Sequence, residues 1–172
     1  MGPEDRQFPE FFTSQYGRLR RLSFLLTGDW AQAEDLAQEA LVRVYWRWSL
    51  VRRQAHPEAY ARKVLVNRHR SLLRRALVEA RYLYRDRPNE GYSDEHREDA
   101  IVLWAATRRL PLRQQAVVVL RYYEDLSEAE IARVLGIPVG TVKTLARRGL
   151  ARLRRSLDTT SQGHTLSIKE RS

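Results

Sequence analysis

The 172-residue sequence predicts an all-α protein of two small helical domains joined by a flexible linker, the second domain containing a helix-turn-helix. Apolar residues recur at steps of three and four through most of the chain, which is the period of amphipathic helices. That pattern is interrupted by one polar stretch of mixed charge, which contains Pro88, Asn89 and Gly91. A capping box followed by a glycine–proline turn near the carboxyl end is the third sign. We therefore expect a domain over residues 1–80, a linker over 81–98, a domain over 99–157 and a disordered tail over 158–172.

The composition favours a polyanionic partner. Lys and Arg number 31 against 21 Asp and Glu, a net charge of +10, and we place nucleic acid ahead of an anionic membrane surface as that partner. No apolar run approaches the roughly 20 residues that span a bilayer. The start, MGPEDRQF, lacks the features of a signal peptide. There are no cysteines, and the four histidines lack metal-ligand spacing. We expect a cytoplasmic protein that uses no membrane, metal or cofactor.

The first two predicted helices differ in character. One covers about residues 8–26 and carries an apolar stripe from Phe12 to Leu26. The second, about residues 30–48, opens at Asp29, which with Gln32 resembles a capping box. Its first half contains an acidic patch, formed by Asp29, Glu34, Asp35 and Glu39. The helix dipole accounts for acids in the first turn but not for Glu39, so we weigh a contact with a basic protein partner against a dipole effect.

The second half of that helix interleaves aromatic rings with arginines. Such a segment suits single-stranded nucleic acid, because rings stack on bases while guanidinium groups neutralise phosphates. Trp48 continues the apolar stripe and is predicted to pack in the core. Trp46 lies off the stripe and is the better candidate for an exposed stacking ring.

A third helix is predicted to begin at Pro57, a residue that suits the first helical turn. Basic residues dominate positions 52–75, where Glu58 is the one acid. Asn67 lies in the middle of this surface, and its amide could pair with a base edge as a lysine cannot. A solvated asparagine with no partner is the alternative.

The stretch from Ser127 to Arg155 predicts the helix-turn-helix. Ser127 and Glu130 form an S-x-x-E capping box, and Gly136-Ile137-Pro138 forms the turn. The second helix, from about Thr141 to Arg155, carries six basic residues and no acid, which fits a major groove. The alternative is a solvated basic face on a helical hairpin. A short helix over 100–109 and another from Pro111 are expected to precede it.

Taken together over residues 8–157, the chain resembles the extracytoplasmic-function sigma factors, the two-domain class of bacterial sigma factor. The matching segments are LTGDWAQAEDLAQEALVRVYWRW, PEAYARKVLVNRHRSLLRR and LPLRQQAVVVLRYYEDLSEAEIARVLGIPVGTVKTLARRGLARLRR. The short segments LTGD, PEAY and GTVK most resemble those of the actinobacterial SigE-like subgroup. The resemblance implies a protein that binds core RNA polymerase, recognises promoter DNA and opens it to initiate transcription.

The resemblance also implies roles for individual residues. The segment matching the part that docks on the clamp helices of the β′ subunit contains Asp35, Gln38 and Glu39. The residues expected at the minus-ten element are Trp46, Arg62, Asn67, Arg70 and Arg74. Those expected to face the minus-thirty-five element are Lys143, Thr144, Arg147 and Arg148. An apolar face around Val117 to Tyr122 would partly meet the flap of the β subunit. The resemblance leaves open whether an anti-sigma factor is a further partner.

Two departures and two rival functions accompany this interpretation. Thr144-Leu145 and Arg147-Arg148-Gly149 replace residues more usual in the family, which leaves the promoter sequence undetermined. One rival is a stand-alone helix-turn-helix regulator that binds duplex DNA without polymerase. The other is an RNA-binding or nucleoid-coating protein with no sequence choice. An enzyme is not expected, because no paired-carboxylate, Ser-His or Gly-rich phosphate motif is present.

Overall fold

The computed structural model describes the backbone of residues 3–79 and 97–169, with side chains over 7–72, 74 and 98–155. Every regular element in these ranges is an α-helix, which confirms the predicted all-α class. The helices are α1 (Pro3–Thr27), α2 (Trp30–Tyr45), α3 (Trp48–Val51), α4 (Pro57–Glu79), α5 (Arg97–Thr107), α6 (Leu112–Tyr122), α7 (Glu128–Leu135) and α8 (Val139–Lys169). Residues 81–96 of the predicted linker lie outside the described residues.

The chain divides into two compact units, unit 1 (Met1–Trp104) and unit 2 (Ala105–Ser172). The division falls inside α5, after Trp104. The reason is that Trp104 packs within unit 1: its ring lies 5.8 Å from the ring of Phe24. Gly28 lies beneath the same indole, and a Cβ at Gly28 would clash with the Trp104 ring.

Unit 1 is built around α2, which packs against both α1 and α4. The side chain of Asp29 caps α2 by accepting a hydrogen bond from the Gln32 amide at 2.9 Å, as the sequence predicted. Leu22, Leu41 and Leu65 are fully buried where α1, α2 and α4 meet. Phe12, expected in the apolar stripe of α1, is instead exposed.

An aromatic cluster holds the corner between α2 and α3. The helix predicted to run through residue 48 ends at Tyr45, and Trp48 begins the short α3. The ring of Phe8, in α1, lies 4.9 Å from Tyr45 and 5.3 Å from Trp48, and Phe11 lies 5.0 Å from Trp48. Trp48 therefore packs, as predicted, and the chain turns at Trp46.

Unit 2 contains the predicted helix-turn-helix, formed by α7 and α8. The Ser127 amide donates to Glu130 Oε2 at 2.8 Å, and the Glu130 amide donates to Ser127 Oγ at 3.3 Å. This reciprocal pair is the predicted capping box. Gly136 ends α7 with φ 63° in the left-handed region, a conformation that glycine adopts without steric cost.

Helix α8 differs from its prediction at both ends. It begins at Val139, because the Thr141 and Val142 amides already donate to the Pro138 carbonyl. It continues to Lys169, past Arg155 and through the segment that we expected to be a disordered tail. No proline interrupts residues 139–169, so nothing in the local sequence forces the helix to end earlier. The side chains beyond Arg155 lie outside the described residues.

Gly149 is required by the packing of α8 on α6. Its backbone is buried, and a Cβ there would lie 2.8 Å from Cγ2 of Val118, itself buried in α6. A glycine inside a helix costs about 1 kcal/mol relative to alanine. Close packing against a stiff valine therefore explains why this costly residue is present.

We expect Gly149→Ala to destabilise unit 2, because overpacking a buried contact costs about 1–3 kcal/mol and outweighs the gain in helix propensity. In a Val118→Ala background the same substitution should lower the free energy of unfolding by less, the difference being about 1 kcal/mol or more, since removal of the valine methyl groups makes space for the new Cβ. Urea unfolding followed by circular dichroism measures both. Equal effects of Gly149→Ala in the two backgrounds would contradict this packing.

His69 gives unit 1 a pH-dependent stability. Burial lowers the pKa of this imidazole from 6.5 to about 4, so the folded chain holds it neutral while the unfolded chain protonates it. The contribution of His69 to the free energy of unfolding is fully present above pH 6.5. It is lost as the pH drops from 6.5 towards 4, by about 3 kcal/mol at most.

All four tryptophans lie in unit 1, so fluorescence-detected urea unfolding reports this unit alone. Between pH 7 and pH 4.5, His69→Leu should lose less stability than the unsubstituted chain. His56→Gln, at an exposed position, serves as the control and should keep the original dependence. An unchanged slope in His69→Leu would exclude the buried imidazole as its source.

Candidate nucleic-acid and protein interfaces

A cleft of about 600 Å³ opens in unit 1 between the end of α2 and one face of α4. Its α2 wall follows helical steps of three and four, and its α4 wall continues that spacing over three turns. The lining residues are Arg43, Trp46, Arg47, Tyr60, Val64, Asn67, Arg68 and Ser71. Three guanidinium groups, two aromatic rings and an amide in one cleft can bind a phosphate, stack a base and pair with its edge.

The cleft brings together two residues that the sequence analysis singled out separately. Trp46 is 78% exposed, because α2 ends beside it and the chain turns. Asn67 is also exposed, on the facing helix. The structure thus places the expected stacking ring and the expected amide on opposite walls of the same cleft.

The three arginines expected at phosphates occupy different environments. Arg62 is only 7% exposed, and this burial contradicts its expected place on the surface. Arg70 is half-buried and Arg74 is exposed. The buried positions of α4 recur as Ala61, Arg62, Leu65, Val66 and His69. The apolar pattern of the sequence alone turns Val64 and Leu72 inward together with Ala61 and Leu65, whereas in the structure Val64 lines the cleft and Leu72 is exposed.

Six of the eight lining residues were absent from the predicted site: Arg43, Arg47, Tyr60, Val64, Arg68 and Ser71. The sequence signal that could have indicated these residues is their spacing of three and four positions in the segments on both sides of the cleft. Residues 60, 64, 67, 68 and 71 share one face of α4, while residue 43 lies in the last turn of α2 and residues 46 and 47 lie in the turn that follows it. What the periodicity cannot indicate is which two helix faces meet.

The acidic patch divides into exposed and engaged residues. Asp35 and Gln38 are exposed on α2, whereas Glu39 is half-buried. Glu39 Oε2 accepts from Arg68 Nε at 2.7 Å, and Glu39 Oε1 accepts from Arg43 Nη2 at 2.9 Å. Burial alone would raise the pKa of Glu39, but the hydrogen bonds from Arg68 and Arg43 lower it below its usual value. Glu34 is likewise engaged, with Arg20 at 3.1 Å.

In unit 2, the exposed face of α8 carries the predicted duplex-reading residues. Lys143, Arg147 and Arg148 are exposed, and Thr144 is half-buried. The Thr144 hydroxyl donates to the Gly140 carbonyl at 3.0 Å, which leaves its oxygen as an acceptor and its methyl group as an apolar contact. Lys143 Nζ lies 3.8 Å from Glu128 Oε2 of α7, an exposed pair of the kind that contributes little to stability.

Two negative findings apply to the residues that the structure describes. Across them, no cluster of three or more His, Asp or Glu side chains is arranged to hold a metal ion. None of their helices is both long and apolar enough to cross a bilayer.

Comparison with known proteins gives matches to both units. The family profile described as Sigma-70 region 2 matches residues 11–77, and the profile described as Sigma-70, region 4 matches residues 101–153. An RNA polymerase sigma-E factor of Streptomyces avermitilis is 35% identical over 153 residues, covering 88% of this chain and 86% of the relative. The ECF RNA polymerase sigma factor SigM of Mycobacterium tuberculosis is 31% identical over 150 residues, covering 87% and 76%.

Two solved structures share the fold. The sigma factor RpoE from Bartonella quintana, solved with the anti-sigma factor NepR, has a TM-score of 0.74 at 20% identity, covering 89% of this chain and 98% of that one. CnrH, solved with the cytosolic domain of CnrY, has a TM-score of 0.59 at 19% identity, covering 90% of each chain.

Proposed function

The chain belongs to the sigma-70 family of RNA polymerase sigma factors, in its ECF class, and from that membership we propose how its two units share promoter recognition. As a sigma factor it binds core polymerase and promoter DNA to initiate transcription. Unit 1 opens the minus-ten element, and unit 2 reads the minus-thirty-five element as duplex. The observation that carries this division is the cleft, which joins Trp46, Asn67 and arginines in the segment matching region 2.

Strand opening by unit 1 is driven by the binding free energy of the captured bases alone. Unstacking and unpairing cost a few kcal/mol per base, and an aromatic ring returns about 1–3 kcal/mol for each base that stacks on it. Capturing one or two bases therefore offsets much of the cost of opening without ATP. Trp46 supplies the ring, Asn67 an edge-reading amide, and Arg47 a phosphate contact. Arg74 extends the cationic surface along α4, and Arg70 contributes from its half-buried position.

Reading of the minus-thirty-five element falls to the exposed face of α8. Arg147 and Arg148 can each form the bidentate contact with guanine that arginine geometry favours, and Lys143 contributes a point charge. The Thr144 hydroxyl donates its proton to the Gly140 carbonyl, so towards DNA this residue offers a methyl group, which suits a thymine methyl, and an accepting oxygen. This combination favours a G-containing element with a neighbouring thymine.

Polymerase contacts are expected on both units. The exposed Asp35 and Gln38 present an acidic and polar surface for the clamp helices of the β′ subunit. On α6, Val117 to Leu120 are buried while Tyr122 is exposed, so Tyr122 is left for the flap of the β subunit. The proposed place of action is therefore with the polymerase, in the cytoplasm. The proposed domain limits are residues 1–80 and 99–157.

An anti-sigma factor is a further proposed partner. RpoE of B. quintana, which shares this fold, was solved in complex with the anti-sigma factor NepR. A protein of that class would act on this chain by covering its polymerase-binding or DNA-binding surfaces.

The experiment that tests the proposed function is run-off transcription from genomic fragments by core polymerase, with and without this protein. Discrete transcripts that require the protein are the expected result. Tight binding of the protein alone to duplex DNA, with no effect on transcription, would instead indicate a stand-alone regulator.

Trp46→Ala should lower the occupancy of open complexes about 5- to 150-fold, which corresponds to the 1–3 kcal/mol of one lost base stack. The folded protein should keep its stability, because this ring is largely exposed. Permanganate reactivity of the promoter measures opening, and Trp46→Tyr, which keeps a ring, is the matched control. Open complexes formed equally well by Trp46→Ala would remove Trp46 from the site.

Arg148→Ala should weaken promoter binding by about 1–3 kcal/mol if Arg148 reads a base, with the loss confined to the upstream element. Arg148→Lys keeps the charge but not the bidentate fork, so it should recover affinity without sequence preference. Footprints of the holoenzyme on wild-type and mutated upstream elements separate the two outcomes. A footprint unchanged by Arg148→Ala would exclude this residue.

A further inference from the structure

We propose that Phe8, near the amino end of α1, is a positioning residue for strand capture, because its ring holds the turn that presents Trp46 to the cleft of unit 1. The proposal rests on the proposed function of that cleft. Phe8 precedes the segment that the Sigma-70 region 2 profile matches, which begins at residue 11. The family profile therefore assigns Phe8 no role.

The turn between α2 and α3 is not fixed by its local sequence. Residues 42–53 contain no Gly, Pro, Asn or Asp, the residues that most often specify a turn. Arg47 precedes α3 at φ −116° and ψ 16°, and its side chain makes no capping hydrogen bond to that helix. Helix α3 has only four residues, too few to be stable by itself. Contacts with other parts of unit 1 therefore decide the geometry of this turn.

Phe8 supplies such contacts to the residues on both sides of Trp46 and Arg47. The centroid of its ring lies 4.9 Å from that of Tyr45 and 5.3 Å from that of Trp48. Separations of about 4.5–7 Å are those of attractive aromatic pairs. One ring of α1 therefore bridges the last residue of α2 and the first residue of α3.

Trp46 depends on this support because its own side chain is 78% exposed. A ring with so little packing of its own is placed by its backbone. Since Phe8 holds the residues on either side of the turn, the position from which the Trp46 side chain leaves the backbone follows from that contact. The ordering of the turn then takes place on folding rather than on binding DNA, which favours capture of a base.

The test is a double-mutant cycle in holoenzyme assembled from core polymerase and the full chain. The chains compared are the wild type, Phe8→Ala, Trp46→Ala and the double variant. Permanganate reactivity of a promoter identified by run-off transcription measures the occupancy of open complexes. Titration of labelled chain with core polymerase measures assembly, and circular dichroism reports the fold.

Phe8→Ala should lower the occupancy of open complexes about fivefold or more, the lower end of the loss of one base stack. The loss should not exceed that of Trp46→Ala, and assembly with core polymerase should be unchanged. In the Trp46→Ala background, Phe8→Ala should change the occupancy by no more than about twofold, because the ring that it positions is already absent.

Three results would overturn the proposal. A purely structural role of Phe8 would lower the occupancy by the same factor in both backgrounds. Occupancy equal to that of the wild type in Phe8→Ala would show that the turn does not need this ring. Occupancy equal to that of the wild type in Trp46→Ala would leave Phe8 with no residue to act through.

Phe12→Ala is the matched control, because it removes the same atoms one turn further along α1. The Phe12 ring stacks on Tyr16 at 5.4 Å and reaches Phe8 at 6.3 Å. This variant should open the promoter as the wild type does, and a loss equal to that of Phe8→Ala would contradict a specific role of Phe8.

Phe8→Leu keeps most of the apolar volume but not the aromatic ring, so the same cycle with Phe8→Leu decides the matter if Phe8→Ala does not fold. Failure of the wild-type chain to assemble with core polymerase or to open any promoter would refute the proposed function instead.

Discussion

The close packing of α2 between α1 and α4 is the constraint on which the rest of unit 1 depends. Small residues make it possible, because Ala33, Ala37 and Ala40 on α2 and Ala61 on α4 are all fully buried. These alanines leave little side-chain bulk at their contacts, while Leu22, Leu41 and Leu65 fill the space where the three helices meet. The cleft is lined by residues of α4 and by the end of α2, so its shape depends on how this core holds the two elements.

Charge in this protein is arranged as much for discrimination as for affinity. A chain of net charge +10 is attracted to any polyanion, and a sigma factor must prefer promoters over the remaining genome. Under the proposed function, carboxylates beside the proposed DNA-facing cations answer this need. Glu39 bonds Arg43 and Arg68, and Glu128 lies near Lys143.

The sequence analysis placed side chains wrongly where burial depends on how neighbouring helices pack. Arg62 looked like part of a continuous basic surface, but α4 is rotated so that Arg62 faces inward with Leu65 and His69. A helical stripe one position out of phase has almost the same periodicity, so the pattern of α4 could not reveal this. The packing of Trp104 is a second outcome that the sequence did not indicate, because its indole lies against Phe24 and Gly28, far away in the chain.

The sequence by itself determined the all-α class, the start and stop of α7, the cap of α2 and the basic face of α8. These features are local: a capping box, a left-handed glycine and a 3.6-residue period act within a few residues of chain. Only the tertiary structure decided that Trp46 and Asn67 share a cleft and that Arg62 is buried. It also decided that Val118 packs against Gly149. The bond between Glu39 and Arg68, twenty-nine positions apart, is a further outcome of this kind. Those outcomes depend on how each helix is rotated against its neighbours, and that rotation is set by the packing of the whole core.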